Sequence, residues 1–290
     1  MGFSLFANLA FNGLITGLVV SLLALSITLV FGIARFPNAA AGDVATVGAF
    51  AGLLGPLAGG GTLWIILCGM AAGALLSVAF YFLLFRPLAG KSAVSSLIAS
   101  IGMAFFVRAA LTFFLGHDQR VYPLPIVRAM PVGPLRVQPT DIEIVVAAVL
   151  ALAAVFSILH LTPIGKRMRA VADNAELARV SGIRANRVLV AMWLIAGLLA
   201  GLSGTLLGVK TVVSPEMGWD LLMPAFAATI LGTIGNPVGA VLGGVLIGLA
   251  QELSTPFVGF TYKLGVGFLV LLVTLLIRPQ GLFAKNSLVR

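Results

Sequence analysis

PIGKRMRAVADNAELARVSGIRANR, residues 163–187, is the stretch whose reading decides the fold. It holds six of the chain's 18 Lys and Arg residues, and long apolar runs flank it on both sides. A basic island between such runs reads as a loop joining two membrane spans. Within it, Met168, Val171, Ala175 and Ala178 recur at three- and four-residue spacing, so a single helical face collects them. Arg169 with Asp173, and Glu176 with Arg179, suit a solvated opposite face. Pro163 closes the preceding run, Gly182 supplies a helix stop, and Ile183 offers an apolar anchor just past it. The spacing predicts a short amphipathic helix that presents a handle to a soluble partner. A plain solvated loop with some helical content is the competing reading.

Outward from the island, the chain is nearly devoid of charge. Its 290 residues are 60% hydrophobic and 9% charged, with a mean hydropathy of +1.13. Several runs exceed the roughly 20 residues that carry a helix across the hydrocarbon core. They are apolar on all faces, which excludes the polar–apolar alternation of a membrane barrel. The expected fold is all-α: a polytopic transmembrane helical bundle of about eight or nine spans, one domain over residues 1–290. The spans are placed near 9–34, 38–55, 62–85, 92–115, 142–162, 188–209, 221–235, 237–252 and 264–277. Gly235-Asn236-Pro237 is a strong turn signal, so the short seventh and eighth segments read either as two spans or as one broken, re-entrant element. Pro37-Asn38 and Gly42-Asp43 interrupt the start of the second. Five prolines in 116–141 (Pro123, Pro125, Pro131, Pro134, Pro139) argue against a regular helix throughout that loop.

A net charge of +9 would suggest nucleic acid in a soluble chain. Here the bases sit between spans, so topology accounts for them and no nucleic-acid partner is expected. With the island in the cytoplasm, twelve bases fall on the inner side: Arg35, Arg86, Lys91, the island's six, Arg278, Lys285 and Arg290. Five fall outside (Arg120, Arg128, Arg136, Lys210, Lys263), and Arg108 lies within a span. That asymmetry predicts a cytoplasmic C-terminus and an external N-terminus. The first charged side chain is Arg35. A basic n-region is therefore missing, and residues 1–34 read as a first span with its lead-in rather than a cleaved signal.

No catalytic constellation stands out. His117 and His160 flank different loops, and the single Cys68 excludes intramolecular disulfides and multi-cysteine metal motifs. Gly90-Lys91-Ser92 lacks the glycine a phosphate-binding loop needs five residues earlier, where Phe85 stands. Leu202-Ser203-Gly204 lies inside an apolar run, so no ATP hydrolysis and no cofactor are expected on this chain. Small residues recur every fourth position, as in Gly13/Gly17, Gly69/Gly73, Gly197/Gly201 and Gly244/Gly248, and predict close helix packing. Asp43 is the acid of most interest. An ionisable group at membrane depth tends to face a cavity or a partner, although a helix cap after Gly42 near the interface is the simpler role. Asn38, Gly42, Asp43, Asn236 and Pro237 are the candidate residues of a translocation path. Helix breaks there would expose backbone N–H and C=O groups to a zwitterion.

Several blocks, taken in order, resemble the permease subunits of branched-chain amino acid ABC importers, the LivH type in particular. They are Asn12-Gly13, FGIARFPNAAAGDVATVGAF (31–50), SLIASIGMAF (96–105), the island, AFAATILGTIGNPVGAVLGGVLIGLAQEL (225–253) and RPQGLF (278–283). The family's His-Gly-Asp/Glu is here Ala41-Gly42-Asp43. The resemblance implies that the island is the coupling helix, with Arg169, Ala170, Asp173, Ala178, Gly182 and Ile183 at the family's ATPase-coupling positions. It implies a LivM-like second permease, two cytoplasmic ATPase subunits that bind ATP and Mg, an external solute-binding protein, and a place in a bacterial-type inner membrane. The solute implied is a branched-chain or related small amino acid, moved by alternating access. Urea or a short amide is the alternative solute, and a stand-alone secondary transporter or channel the alternative class.

Overall fold

The computed structural model describes residues 2–56, 61–125, 128–133, 135–278 and 280–283. Lys285, Arg290, Pro134 and Pro279, which entered the reading above, lie outside these residues.

The described residues form helices α1 (Gly2–Ala34), α2 (Ala41–Gly52), α3 (Thr62–Phe80), α4 (Ala93–Leu115), α5 (Pro139–Leu161), α6 (Pro163–Asp173), α7 (Ala175–Val180), α8 (Ala185–Lys210), α9 (Met217–Leu231), α10 (Pro237–Val258) and α11 (Lys263–Ile277). α3 runs on through one π-helical turn, Tyr81–Phe85. Six of these helices are long and apolar enough to cross a membrane, and α9 and α11 are shorter apolar helices. The chain is thus a multi-pass helical membrane protein, close to the expected span count. At 15 residues, α9 reaches about 22 Å. The uncertain 221–252 region resolves into two helices joined by a turn, as Gly235-Asn236-Pro237 predicts. The expected second span at 38–55 is only the 12-residue α2. Between α4 and α5 a small antiparallel hairpin pairs β1 (Met130–Val132) with β2 (Leu135–Val137), which the prolines did not foretell.

α1 is the core of the bundle. Of its most apolar window 83% is buried, against 72% for α8, 28% for α5 and 17% for α4. Glycine makes this density attainable. A Cβ on Gly204 of α8 would lie 1.9 Å from the Ala45 carbonyl oxygen of α2, and one on Gly201 would lie 2.3 Å from the Gly69 oxygen of α3. On the other side, a Cβ on Gly248 of α10 would lie 2.3 Å from the Gly17 Cα of α1. Backbone therefore touches backbone, and hydroxyls bind across the contacts. Ser26 Oγ donates to the Ala196 carbonyl at 2.8 Å, Ser203 Oγ to Val19 at 2.7 Å, and Ser21 Oγ to Val241 at 2.8 Å. The expected small-residue packing is what the helices show.

Candidate functional site

Two helices begin inside the bundle rather than at its edge. After α1, the segment 35–40 turns inward, where the Ala39 N–H donates to Ser100 Oγ of α4 at 3.2 Å. Buried Asn38 accepts the Ala40 N–H at 3.1 Å, and α2 starts at Ala41. α9 starts beside it. A Cβ on Gly42 would lie 2.4 Å from the Gly218 carbonyl oxygen, and the Gly218 N–H donates to Thr46 Oγ1 at 3.1 Å. Only two glycines permit helix starts this close.

Asp43 lies at this junction with no exposed surface. It does not cap α2, which has no side-chain cap. Instead, Arg108 of α4 binds it with both arms: Nε donates to Oδ1 at 3.2 Å and Nη2 to Oδ2 at 3.1 Å. Burial of a lone carboxylate is prohibitive, so a fork-shaped guanidinium is a fitting partner. The guanidinium carbon also lies 4.8 Å from the Trp219 ring centroid and 5.6 Å from that of Phe105. Arg108 Nη1 has no partner among the described residues. The side chain keeps 16% of its surface exposed, so the pair has one edge toward the outside of the bundle. Asn38, Gly42 and Asp43 are thus brought together. The sequence reading missed Arg108 as their partner, although a lone base within an apolar run was its signal.

Asn236 and Pro237 lie elsewhere. Asn236 Oδ1 accepts the Gly239 N–H at 3.2 Å and caps α10, whose first residue is Pro237. Both line a cavity of about 320 Å³ beside the island, together with Gly32, Met168, Arg169 and Asp173. They neighbour the coupling candidates, not Asp43.

The island is two helices, not one. Asn174 adopts an extended backbone, and its side chain accepts the N–H groups of Glu176 and Leu177 at 3.0 Å each, which ends α6 and caps α7. The break rotates the second half. Met168, Val171 and Ala178 are buried as expected, while Ala175 is exposed. Neither expected ion pair forms among the described residues. Arg169 reaches back to the Leu159 carbonyl of α5, and Asp173 is exposed. Arg35, just past α1, donates to the Ala172 carbonyl. Ala170 and Ile183 pack on the core. Gly182, at φ +81°, closes a Schellman turn in which the Ile183 N–H binds the Ala178 carbonyl and the Gly182 N–H that of Arg179, each at 3.0 Å. The expected stop and anchor are therefore real.

At the opposite end, Tyr122 of the proline-rich loop is buried and donates to the Ala49 carbonyl at 2.6 Å. Burial pushes its phenol well above the ordinary range.

Residues 9–275 match the family model described as the permease component of the branched-chain amino acid transport system. The chain is 28% identical to the high-affinity branched-chain amino acid permease protein LivH of Salmonella typhimurium, over 98% of this chain and 97% of that one. It is 28% identical to BraD, a permease protein of the same description from Pseudomonas aeruginosa, over 94% of each. Among solved structures, a metal-chelate-type ABC transporter in an inward-facing conformation aligns with a TM-score of 0.51 at 16% identity, over 90% of this chain and 85% of that one, and so shares the fold. The chain belongs to the family of branched-chain amino acid transport permease components.

Proposed function

We propose that this chain is the membrane-spanning subunit of an ATP-driven importer for branched-chain or related small amino acids, working by alternating access. The observation that carries the reading is the separation of two sites. A polar centre, Asp43–Arg108, lies where α2 and α9 begin within the bundle, and an exposed handle, α6–α7, lies at the island end. A family of amino-acid permease components supports the same reading.

The handle is attached so that it can transmit force. Arg35 and Arg169 tie α6 to the ends of α1 and α5 through backbone carbonyls. The Schellman turn at Gly182 fixes the exit into α8. An ATPase subunit that shifts this handle would pull on the central helix directly. Arg169, Ala170, Asp173, Ala178, Gly182 and Ile183 serve this coupling. The partners are a LivM-like second permease, two cytoplasmic ATPase subunits carrying ATP and Mg, and an external solute-binding protein. The island faces the cytoplasm of a bacterial-type inner membrane, with the N-terminus outside. Asn38, Gly42 and Asp43 border the path at depth, and Asn236–Pro237 border it near the island.

The test is reconstitution of the complete complex in proteoliposomes with its binding protein. ATP-dependent leucine uptake is expected, with none from this chain alone. Uptake by this chain alone under an ion gradient would overturn the proposal in favour of a secondary transporter. For orientation, cysteines at Asn174 and Gln119 in a Cys68→Ala background should react with an impermeant reagent on intact cells only at 119.

A further inference from the structure

A second cavity, of about 410 Å³, lies at the island end, among the nearby ends of α1, α3 and α4, the handle α6–α7, and the start of α8. Its floor is aromatic. Phe85 stacks on Trp193 with ring centroids 4.6 Å apart, Phe36 lies 5.0 Å from Phe85, and all three are buried. Three cations from separate segments stand over this floor: Arg35 just past α1, Lys91 in the loop between α3 and α4, and Arg179 of α7. Among the described residues no acid lines the cavity. The cavity beside Asn236 differs, because Asp173 lines it together with Arg169.

The three cations have capacity to spare. Lys91 and Arg179 make no side-chain hydrogen bond or ion pair among the described residues, and both are exposed. Arg35 gives one bond to the Ala172 carbonyl, and a guanidinium has five donors. A cleft lined by charge of one sign over a low-dielectric wall focuses the field within it, here for an anion. Topology accounts for bases at this end of the protein. It does not account for three of them converging on one cavity while Arg167 and Arg184 of the island line neither cavity.

Depth narrows the choice of anion. The cavity is lined by Phe85, where the last turn of α3 ends, and by Ala93, where α4 begins. It therefore lies where two spans leave the hydrocarbon, at the level of lipid headgroups. The same ends of α3 and α4 carry exposed apolar side chains: Leu83 at 75%, Val94 at 62% and Ile98 at 64%. A phosphate in the cavity would thus have a surface for acyl chains beside it, which a soluble anion would leave bare.

We infer that this cavity binds the phosphate headgroup of an anionic phospholipid. The phosphate accepts from Lys91, Arg179 and the remaining donors of Arg35, and the acyl chains lie along the apolar ends of α3 and α4. The headgroup bridges α1, the α3–α4 loop and the handle, and so steadies the handle against the bundle. The assignment is independent of the solute.

The test titrates the purified full chain, in neutral detergent, with dioctanoyl phosphatidylglycerol, read by native mass spectrometry. Saturable binding is expected, far weaker for dioctanoyl phosphatidylcholine, with no competition from glycerol phosphate at equal concentration. Lys91→Gln and Arg179→Gln should each weaken binding about fivefold, and the double variant about twentyfold or more. Arg167→Gln and Arg184→Gln should stay within about twofold of wild type, since neither residue lines the cavity. Equal losses from all four bases would assign the attraction to the island's general charge and overturn the site. So would equal binding of phosphatidylcholine, or no saturable binding at all. Full competition by glycerol phosphate would overturn the lipid in favour of a soluble phosphate.

Discussion

Asp43→Asn removes the charge of a fully buried carboxylate while leaving one acceptor oxygen. Arg108 then keeps its positive charge against Trp219 and Phe105 with no ion-pair partner among the described residues, only the more distant charge of Asp220. Breaking a buried ion pair from one side costs about 3–5 kcal/mol. Because Arg108 retains 16% exposure and the asparagine still accepts one bond, the lower end applies, about 3 kcal/mol. That is roughly a hundredfold in the folded-to-unfolded ratio. The Asp43→Leu/Arg108→Met double replacement should regain more than half of the loss, because no charge is left stranded. The assay is an SDS titration of wild type, Asp43→Leu, Arg108→Met and their double, with Asp43→Asn alongside, in mixed micelles, followed by tryptophan fluorescence. Transport separates the roles further: the double variant should assemble but import poorly, since the polar centre is gone. Wild-type stability for Asp43→Asn, or strictly additive losses in the double variant, would refute the argument that the pair is a coupled charge unit.

Other positions give independent checks. Gly204→Val should abolish the monodisperse peak in size-exclusion chromatography, since even its Cβ would lie 1.9 Å from the Ala45 oxygen of α2. A Cβ at Gly182 meets no neighbour within 4 Å, but Gly182→Val must hold φ +81°; strain of about 1–2 kcal/mol should loosen the turn, leaving the fold intact while lowering transport per ATP hydrolysed. The Tyr122 phenol is raised by burial, so its neutral form stabilises the fold. That contribution is full below the ordinary tyrosine value of about 10 and is lost as pH rises toward the folded-state value. Tyr122→Phe should flatten the alkaline fall in stability and cost about 1 kcal/mol at neutral pH for the lost bond to Ala49, both read by thermal melts across pH.

The long spans were legible because an apolar run of 20 residues has one physical use in a chain with so few charges. The island's inward residues Met168, Val171 and Ala178 were legible from spacing, and Gly182–Ile183 from helix-stop chemistry. Ala175 was misread because Asn174 binds the two N–H groups ahead of it, which periodicity does not register. The expected span over 38–55 outruns α2 because Ala39-Ala40 before it and Leu53-Leu54 after it are as apolar as the helix itself. The Asp43–Arg108 pair was hidden for another reason. Its members are 65 residues apart, and only the depth at which α2 begins brings them level.

The central position of α1 has a consequence for biosynthesis. It leaves the ribosome long before its packing partners, α8 joined to it through hydroxyls and α10 through glycine contacts, which are made about 170–240 residues later. Until they arrive, α1 stands in lipid with its packing face bare. Ser21 can bridge the wait by donating to its own Gly17 carbonyl. The hydroxyl of Ser26 and the Val19 carbonyl meet their cross-helix partners only when α8 is in place. Assembly must therefore close around α1 from outside, and a nascent chain halted before α10 holds the preceding spans inserted but has no finished core.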